Sequence, residues 1–373
     1  SSDFGYAYVS GSEGDTVNRS YFASEGSGDS FIADVHLSYD AIIGTATSKT
    51  LVGLEFSRSD ESDQRFFGGA PSVDLENPVY TGVPASVPIF ADRDVETEGK
   101  AVYVQQEFNW SEKVIASFGL RHDWIDVTEM NNLSSTVTEG EISATTGRIG
   151  LTYKITPDIA VYGSFAQSVV PAGTGVAPEE GEQFELGAKW RPAGTNALFS
   201  ASVYDLSKTN IARTNPVTNL REAIGEVGVR GIDLEAKSEF GAYDITASYS
   251  YLDAEIVENG TSGNEGNTPG LVSSNIASIW ASRTWENIGA GDLTAGLGMR
   301  YNGGYFFDDS NVAGETGSFV VVDAAVSYDL TRQTTLSASV TNLFDEKHVA
   351  YGGLYADFYS PGRELKVKLS HNW

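Results

Sequence analysis

Apolar and polar residues alternate with a period of two along most of this chain, over segments longer than strands in soluble sheets usually are. Residues 293–301 are an example, because every odd position is apolar and every even position is small or polar. Successive side chains of a strand point to opposite faces, so this pattern predicts strands with one apolar face. The same alternation recurs at 31–39, 114–120, 149–155 and 365–369. The sequence therefore predicts an all-β chain.

Composition agrees with many strands and turns and excludes several classes of function. Aromatic residues make up 11% of the chain, there are 40 glycines, and cysteine is absent. The lack of cysteine excludes disulfide scaffolds, thiolate zinc sites and cysteine nucleophiles. The charge of −27, from 24 basic and 51 acidic residues, argues against nucleic acid as a partner.

The connections between the predicted strands are alternately short and long. Short turns on one rim and long loops on the other describe an outer-membrane β-barrel, and no apolar run is long enough for a membrane helix. We expect about sixteen antiparallel strands, with both termini on the short-turn side. The predicted strands are 3–10, 28–40, 49–61, 95–109, 113–128, 141–155, 159–169, 183–191, 197–212, 219–239, 243–257, 271–285, 291–307, 319–330, 334–349 and 361–373.

A soluble β-sandwich or β-helix is the alternative to the barrel. The length of the strands weighs against it, as do the aromatic residues near strand ends and the charged residues on the faces that a sandwich core would need to be apolar. In a barrel, Val114, Phe118, Leu297, Val367 and Leu369 should face lipid. The polar residues expected to face the lumen are Arg121, Glu107, Glu185, Asp233, Glu235, Lys237 and Asp323.

Several motifs resemble one family of barrels. The chain ends in an alternating strand, 361–373, that finishes on an aromatic residue, and the segment 340–349 contains Asn342-Leu-Phe-Asp345. This segment, together with 181–189 (GEQFELGAK) and 225–236 (GEVGVRGIDLEA), resembles TonB-dependent ferric-siderophore receptors, the ferric hydroxamate receptors above all. His371 departs from the apolar preference at its position in the last strand.

The resemblance implies a bacterial outer-membrane importer of ferric siderophores. Family members have an N-terminal plug and a barrel of about twenty-two strands. We therefore expect residues 1–373 to be the C-terminal portion of such a barrel, an excised or processed form that begins at Ser1 without the plug and the first strands. A self-contained barrel of about sixteen strands is the alternative.

The partners follow from the same resemblance. They are a ferric siderophore, the TonB complex acting through the missing plug, and outer-membrane lipid and lipopolysaccharide, with the receptor itself a monomer. We expect no intrinsic cofactor and no enzyme activity, because the nucleophile-elbow, phosphate-loop and His-Glu-x-x-His motifs are absent. Two other functions stay open, namely a passive porin-like channel with the 60–95 loop as its constriction, and a surface-adhesion barrel.

Large aromatic residues in the predicted long loops are the candidate ligand contacts. Aromatic side chains offer rigid, amphipathic surfaces, and the resemblance implies that such residues grip the organic shell of an iron chelate. The predicted contacts are Phe66, Phe67, Tyr80, Phe306, Phe307, Tyr351 and Tyr355. We predict that acidic pairs such as Asp92 with Asp94 and Asp308 with Asp309 are solvated loop acids and assign no metal site.

Overall fold

The computed structural model describes residues 2–79, 86–214, 221–260, 263–352 and 357–373. Within these ranges no helix is long and apolar enough to cross a membrane. The strands, numbered in chain order, are β1 Ser2–Glu13, β2 Thr16–Ile43, β3 Ala46–Asp74, β4 Ile89–Trp110, β5 Val114–Asn131, β6 Thr136–Thr156, β7 Ile159–Val170, β8 Glu179–Trp190, β9 Asn196–Thr214, β10 Arg221–Phe240, β11 Tyr243–Asn259, β12 Asn275–Ile288, β13 Gly291–Asn302, β14 Phe319–Thr331, β15 Thr334–Thr341, β16 Val349–Gly352, β17 Asp357–Tyr359 and β18 Glu364–His371.

Sixteen of these described strands form one antiparallel meander. The order runs from β1 through β15 in sequence and ends with β18, and the small hairpin of β16 and β17 lies outside this sheet. The predicted all-β barrel architecture and its count of about sixteen strands are confirmed. In the part of the chain that the structure describes, β1 and β18 are each paired on one side only, so the sheet has two free edges.

The register assigns side chains to two faces, because directly opposed residues of an antiparallel pair point the same way. Phe118, Ile149 and Phe165 are opposed in turn, and so are Leu297, Ala324 and Val340. All five residues predicted to face lipid lie on this apolar face, where Val367 is 67% exposed. The seven predicted lumen residues lie on the opposite face.

The two rims differ as predicted. β2 and β3 are joined by two residues, as are β10 with β11 and β12 with β13, whereas 303–318 connects β13 to β14. The two largest fully buried apolar side chains lie near the long-loop rim, where Ile256 is 0% and Val321 1% exposed, whereas the buried apolar residues next to the short turns are alanines such as Ala46 and Ala197. The protein therefore has its compact packing under the loops on that rim, while the wall is a single layer.

Several predicted boundaries are wrong. β1 continues to Glu13 and β2 already begins at Thr16, where strands 3–10 and 28–40 were predicted. The 60–95 loop is mostly strand, because β3 continues to Asp74 and β4 begins at Ile89. Strand 291–307 ends at Asn302, before Gly303 and Gly304. Strand 334–349 ends at Thr341, because Asn342 has a positive φ of 55° that stops the extended chain.

Candidate functional site

Phe66 and Phe67, predicted as loop residues, are neighbours within β3 and therefore point to opposite faces. Phe67 is opposed to Phe22 on β2, on the face that continues the lumenal side of the wall. Phe66 is opposed to Ala23 and shares the outer face. We call the part of the lumen at the long-loop end the vestibule. Only one of the two rings can thus face a ligand there.

Phe67 belongs to an aromatic cluster with Phe22 and Phe90. The Phe90 ring lies 6.1 Å from the Phe22 ring and 6.2 Å from the Phe67 ring, with an edge-on angle of 82° to Phe67. Phe67 is 45% and Phe90 50% exposed, so much of the cluster can still be covered by a ligand. The sequence did not indicate Phe22, because 11–27 lacks the apolar alternation by which the strands were recognised.

Phe306 and Phe307 lie in the 303–318 loop, which packs on the 263–274 loop; we call these two segments the paired loops. The carbonyl of Phe306 accepts a hydrogen bond from the Leu271 amide at 2.8 Å. The Phe307 amide donates to the Gly314 carbonyl at 3.0 Å across the base of the loop. Both residues are therefore part of this folded unit.

Asp309 and Asn311 hold the paired loops together. Asp309 accepts the Gly270 amide at 3.0 Å and the Arg213 guanidinium at 2.6 Å. Asn311 both accepts the Thr268 amide at 3.0 Å and donates to the Thr268 carbonyl at 2.8 Å. The prediction that Asp309 is a solvated loop acid is wrong, because its carboxylate is used to join a strand end to two loops.

Close backbone approach within the paired loops requires glycine at position 270. A Cβ atom there would lie 2.8 Å from the Asp308 Cα, which is closer than real side chains allow. Asp308 is also partnered, since the Ser310 hydroxyl donates to its carboxylate at 2.8 Å. Both residues of this predicted acidic pair therefore have hydrogen-bond partners and are half-buried.

The Asn342-Leu-Phe-Asp345 motif closes the base of the last long loop. Asn342 is 2% exposed, and its side-chain amide bonds both the carbonyl and the amide of Glu346, at 2.9 and 2.8 Å. Its own amide donates to Asp323 at 2.9 Å. Asp345 accepts the Arg363 amide at 2.9 Å from the far end of the loop. The motif therefore works as a backbone clamp.

Three of the predicted contact residues cannot be placed. Tyr80 and Tyr355 lie outside the described residues. The backbone of Tyr351 is in β16, opposed to Phe358 of β17, but its side chain is also outside what the structure describes. Ligand contact by these residues stays a prediction.

Below the vestibule, the lumenal face carries a charged cluster around Arg121. The Arg121 guanidinium pairs with both carboxylate oxygens of Glu55, at 2.9 and 3.1 Å, and with Asp123 at 2.9 Å. Beside it, the Tyr103 hydroxyl donates to Asp34 at 2.6 Å. The Tyr103 ring lies flat on Gly53, where a Cβ atom would come within 2.2 Å of the ring.

Glu185 is the centre of a second lumenal cluster. The Tyr162 hydroxyl donates to Glu185 at 2.5 Å and the Gln183 amide donates to it at 3.0 Å. The Tyr162 ring covers Gly187 as the Tyr103 ring covers Gly53. Glycine opposite an aromatic residue therefore recurs on this face, and it fixes the orientation of phenol groups that hydrogen-bond to carboxylates.

Asp92 and Asp94, the other predicted acidic pair, lie in β4 above the lipid-facing part of the wall. Asn132 donates to both, at 2.9 Å to Asp92 and 3.0 Å to Asp94. The side-chain hydrogen bond from Asn132, followed by one from Ser62, lowers the pKa of Asp94 below its usual value. The predicted loop location is wrong, since both are strand residues with hydrogen-bond partners, although Asp94 is exposed as predicted.

These features define what the surface can bind. The described residues include no group of three His, Asp or Glu side chains arranged to hold a metal ion. They do include exposed aromatic rings at the long-loop end of a polar lumen. Such a surface suits an amphipathic solute that enters from the long-loop side.

A long-stranded antiparallel meander with an apolar outer face and a charged lumenal face defines a transmembrane β-barrel of the outer-membrane class. Comparison with known proteins gives the family. Residues 1–343 match the model of the TonB dependent receptor-like β-barrel family. The chain belongs to this family of bacterial outer-membrane receptors and transporters.

Its relatives include the ferrichrome outer membrane transporter and phage receptor of Escherichia coli K12, 31% identical over 91% of this chain and 47% of that protein. The ferrioxamine B receptor of Salmonella typhimurium is 28% identical over 96% of this chain and 52% of that protein. The chain thus spans about half the length of these curated relatives. The siderophore receptor PiuA from Acinetobacter baumannii shares the fold, with a TM-score of 0.84 at 21% identity over 99% of this chain and 60% of that one.

Proposed function

We propose that this chain forms wall and vestibule of an outer-membrane receptor that imports ferric siderophores in a TonB-dependent manner. The observation that carries the proposal is the similarity over 91% and 96% of the chain to receptors for ferrichrome and ferrioxamine B. The lumenal face supports it, because clustered carboxylates and guanidinium groups can make polar pairs with a plug. The free edges of the sheet also fit a barrel of more than sixteen strands.

Ligand capture falls to the aromatic residues at the long-loop end. The cluster of Phe22, Phe67 and Phe90 offers exposed rings on the lumenal side, and the paired loops carry Phe306 and Phe307. Tyr80, Tyr351 and Tyr355 remain proposed contacts. Rigid aromatic faces suit the apolar shell of a hydroxamate chelate, and the chelate is the cargo, so no resident cofactor is required.

The porin-like channel was expected to use the 60–95 segment as its constriction loop. Most of this segment is strand in β3 and β4, so the segment is not such a loop. Titration of the full-length receptor with ferrichrome and ferrioxamine B, followed by uptake of radiolabelled iron with and without TonB, tests the proposal. We expect saturable binding and TonB-dependent uptake. Absence of binding, together with steady ion conductance in planar bilayers, would favour the passive channel.

A further inference from the structure

An arginine on the lipid-facing side of the wall has no charged partner. Arg283 of β12 is opposed to Tyr243 on one side and to Ala295 on the other, and both lie on the apolar face that includes Leu297. Among the described residues no carboxylate forms an ion pair with it. A lone charge that faces lipid is costly at the membrane midplane and costs much less near the interfaces.

Arg283 lies close to the short-turn rim, where that cost is smallest. Tyr243 directly follows the Gly241–Ala242 turn, and the amide of Thr284, the residue after Arg283, donates to the Ala242 carbonyl at 3.0 Å. In a barrel of this class the short turns are periplasmic. The guanidinium is therefore at the level of the phospholipid headgroups of the inner leaflet.

Two aromatic rings hold the guanidinium in place. Its central carbon lies 5.0 Å from the Tyr243 ring and 5.0 Å from the Trp285 ring, and Nη1 donates to the Tyr243 hydroxyl at 2.9 Å. Nε is buried and has no hydrogen-bond partner in the described structure. A planar cation that is held on two aromatic rings and has no carboxylate partner is suited to a phosphate group.

Other aromatic pairs near the short turns are built differently. Phe108 stacks directly on Trp110 at 5.4 Å, and Trp190 stacks directly on Phe199 at 5.2 Å, so no cation is inserted between those rings. An aromatic girdle at the membrane–water interface requires only aromatic rings, without a cation between them. The inserted Arg283 therefore indicates a binding role in addition to anchoring.

We propose that Arg283, held between Tyr243 and Trp285, binds the phosphodiester group of a phospholipid in the inner leaflet of the outer membrane. The ligand chemistry is a phosphate anion at an apolar surface, and the acyl chains would lie against the neighbouring outer-face residues such as Leu297. A phosphodiester is present in zwitterionic and anionic phospholipids alike, so both kinds should bind. The proposal does not depend on which solute the receptor imports.

Native mass spectrometry of the full-length receptor in detergent tests this site. The probes are dioleoyl phosphatidylglycerol, dioleoyl phosphatidylethanolamine, a diacyl glucosyl lipid without phosphate, and inorganic phosphate. For Arg283→Gln we expect about fivefold weaker binding of both phospholipids, which corresponds to about 1 kcal/mol for one interfacial cation, and unchanged binding of the glucosyl lipid. Arg332→Gln is the control, because Arg332 is exposed in a turn on the same rim.

Two outcomes would overturn the proposal. One is equal phospholipid affinity in wild type and Arg283→Gln. The other is competition by inorganic phosphate at the same concentrations as lipid, which would make the site one for free anions. If Arg283→Gln does not assemble, Arg283→Lys decides: it keeps the charge but not the planar fork, so phospholipid binding should still weaken by about twofold, and wild-type affinity would refute the site.

Discussion

The vestibule end of the wall is built in two ways on its two sides. On the tall side, β2, β3 and β4 are 28, 29 and 22 residues long, whereas on the low side β13, β15 and β18 have 12, 8 and 8 residues. A strand needs about 9–11 residues to cross the membrane, so the tall side continues well beyond it as strand. On the low side the chain leaves the sheet early and continues as hydrogen-bonded loops.

The two sides owe their rigidity to different interactions. On the tall side the ladder itself carries the extension, since β2 and β3 stay in register without interruption from Arg19 to Ile43. Several of its side-chain ion pairs are exposed, such as Arg58 with Glu96 at 3.1 Å, and exposed pairs of this kind contribute about 0–1 kcal/mol. On the low side, buried side chains such as Asn342 and partnered ones such as Asp309 hold the backbone of the loops. Single substitutions should therefore matter more on the low side.

The largest effect is expected for Asn342→Ala on the low side. The change removes two hydrogen bonds to Glu346 from a residue that is 2% exposed, and it places alanine at a φ of 55°. We expect the free energy of unfolding to fall by about 2–4 kcal/mol. Denaturant unfolding of the full-length protein in detergent measures it.

The matched control on the tall side is Asn18→Ala. Asn18 is exposed and only accepts a hydrogen bond from the Ser72 hydroxyl at 2.9 Å. Removing this hydrogen bond should lower the free energy of unfolding by less than about 0.5 kcal/mol. Equal losses in the two variants would contradict the distinction between the two sides.

Asp309→Ala should open the paired loops without unfolding the barrel. The variant leaves the Gly270 amide and the Arg213 guanidinium without their shared acceptor. The free energy that holds the paired loops closed should therefore fall by about 2 kcal/mol. Hydrogen exchange in 263–274 should accelerate by about 30-fold. Asp308→Ala, which loses only a bond to Ser310 two residues away, is the control; if it accelerates exchange as much, Asp309 has no special role.

On the tall side, Phe67→Ala should weaken ligand binding. Loss of one exposed ring from the cluster with Phe22 and Phe90 should reduce the binding free energy by about 1–1.5 kcal/mol. The Kd for a hydroxamate chelate should therefore increase about tenfold. Phe66→Ala is the control, because Phe66 is the adjacent residue on the opposite face. Titration of the full-length receptor measures both, and equal Kd values for the two variants would place the ligand elsewhere.

On the low side, Tyr351→Ala tests whether the last loop shares in ligand capture. We expect about a tenfold weaker affinity for a ferric hydroxamate chelate with barrel assembly unchanged, from the loss of one aromatic face. Titration and thermal melting should be run together. Unchanged affinity with a lower melting temperature would assign Tyr351 to loop packing instead.

The sequence predicted the wall well and its upper ends poorly, for a physical reason. Alternation is imposed by lipid on one face and a polar lumen on the other, so it identified the apolar face through Phe118 and Leu297 correctly. Beyond the membrane both faces of a strand meet water, and the pattern disappears; β2 and β3 therefore continue to Thr16 and Asp74 without an apolar signal. The cluster residue Phe22 was missed for this reason.

The candidate site was less predictable than the wall because its contacts are non-local. Arg213 and Asp309 are 96 positions apart, and no sequence spacing joins them. The motif at 342–345 was recognised by its letters, but its role as a backbone clamp depends on the positive φ of Asn342 and on Arg363 at the far end of the loop. Such roles appear only when the ends of the loop are brought together.

The smallest expected effect concerns Asp94 at the top of the tall side. The hydrogen bond from Asn132 at 3.0 Å favours the charged carboxylate and lowers the pKa of Asp94 in the folded protein. A lowered pKa means that this contribution to stability is fully present above the unfolded-state pKa and is lost as the pH falls through the folded-state pKa. Asn132→Ala removes the first cause of the shift, so the carboxyl pKa should rise towards its ordinary value of 3.8. Carbon-13 NMR titration of selectively labelled aspartates, with Asp94→Asn to assign the resonance, measures the change. An identical titration midpoint in wild type and Asn132→Ala would show that the hydrogen bond from Asn132 does not act on the Asp94 carboxylate.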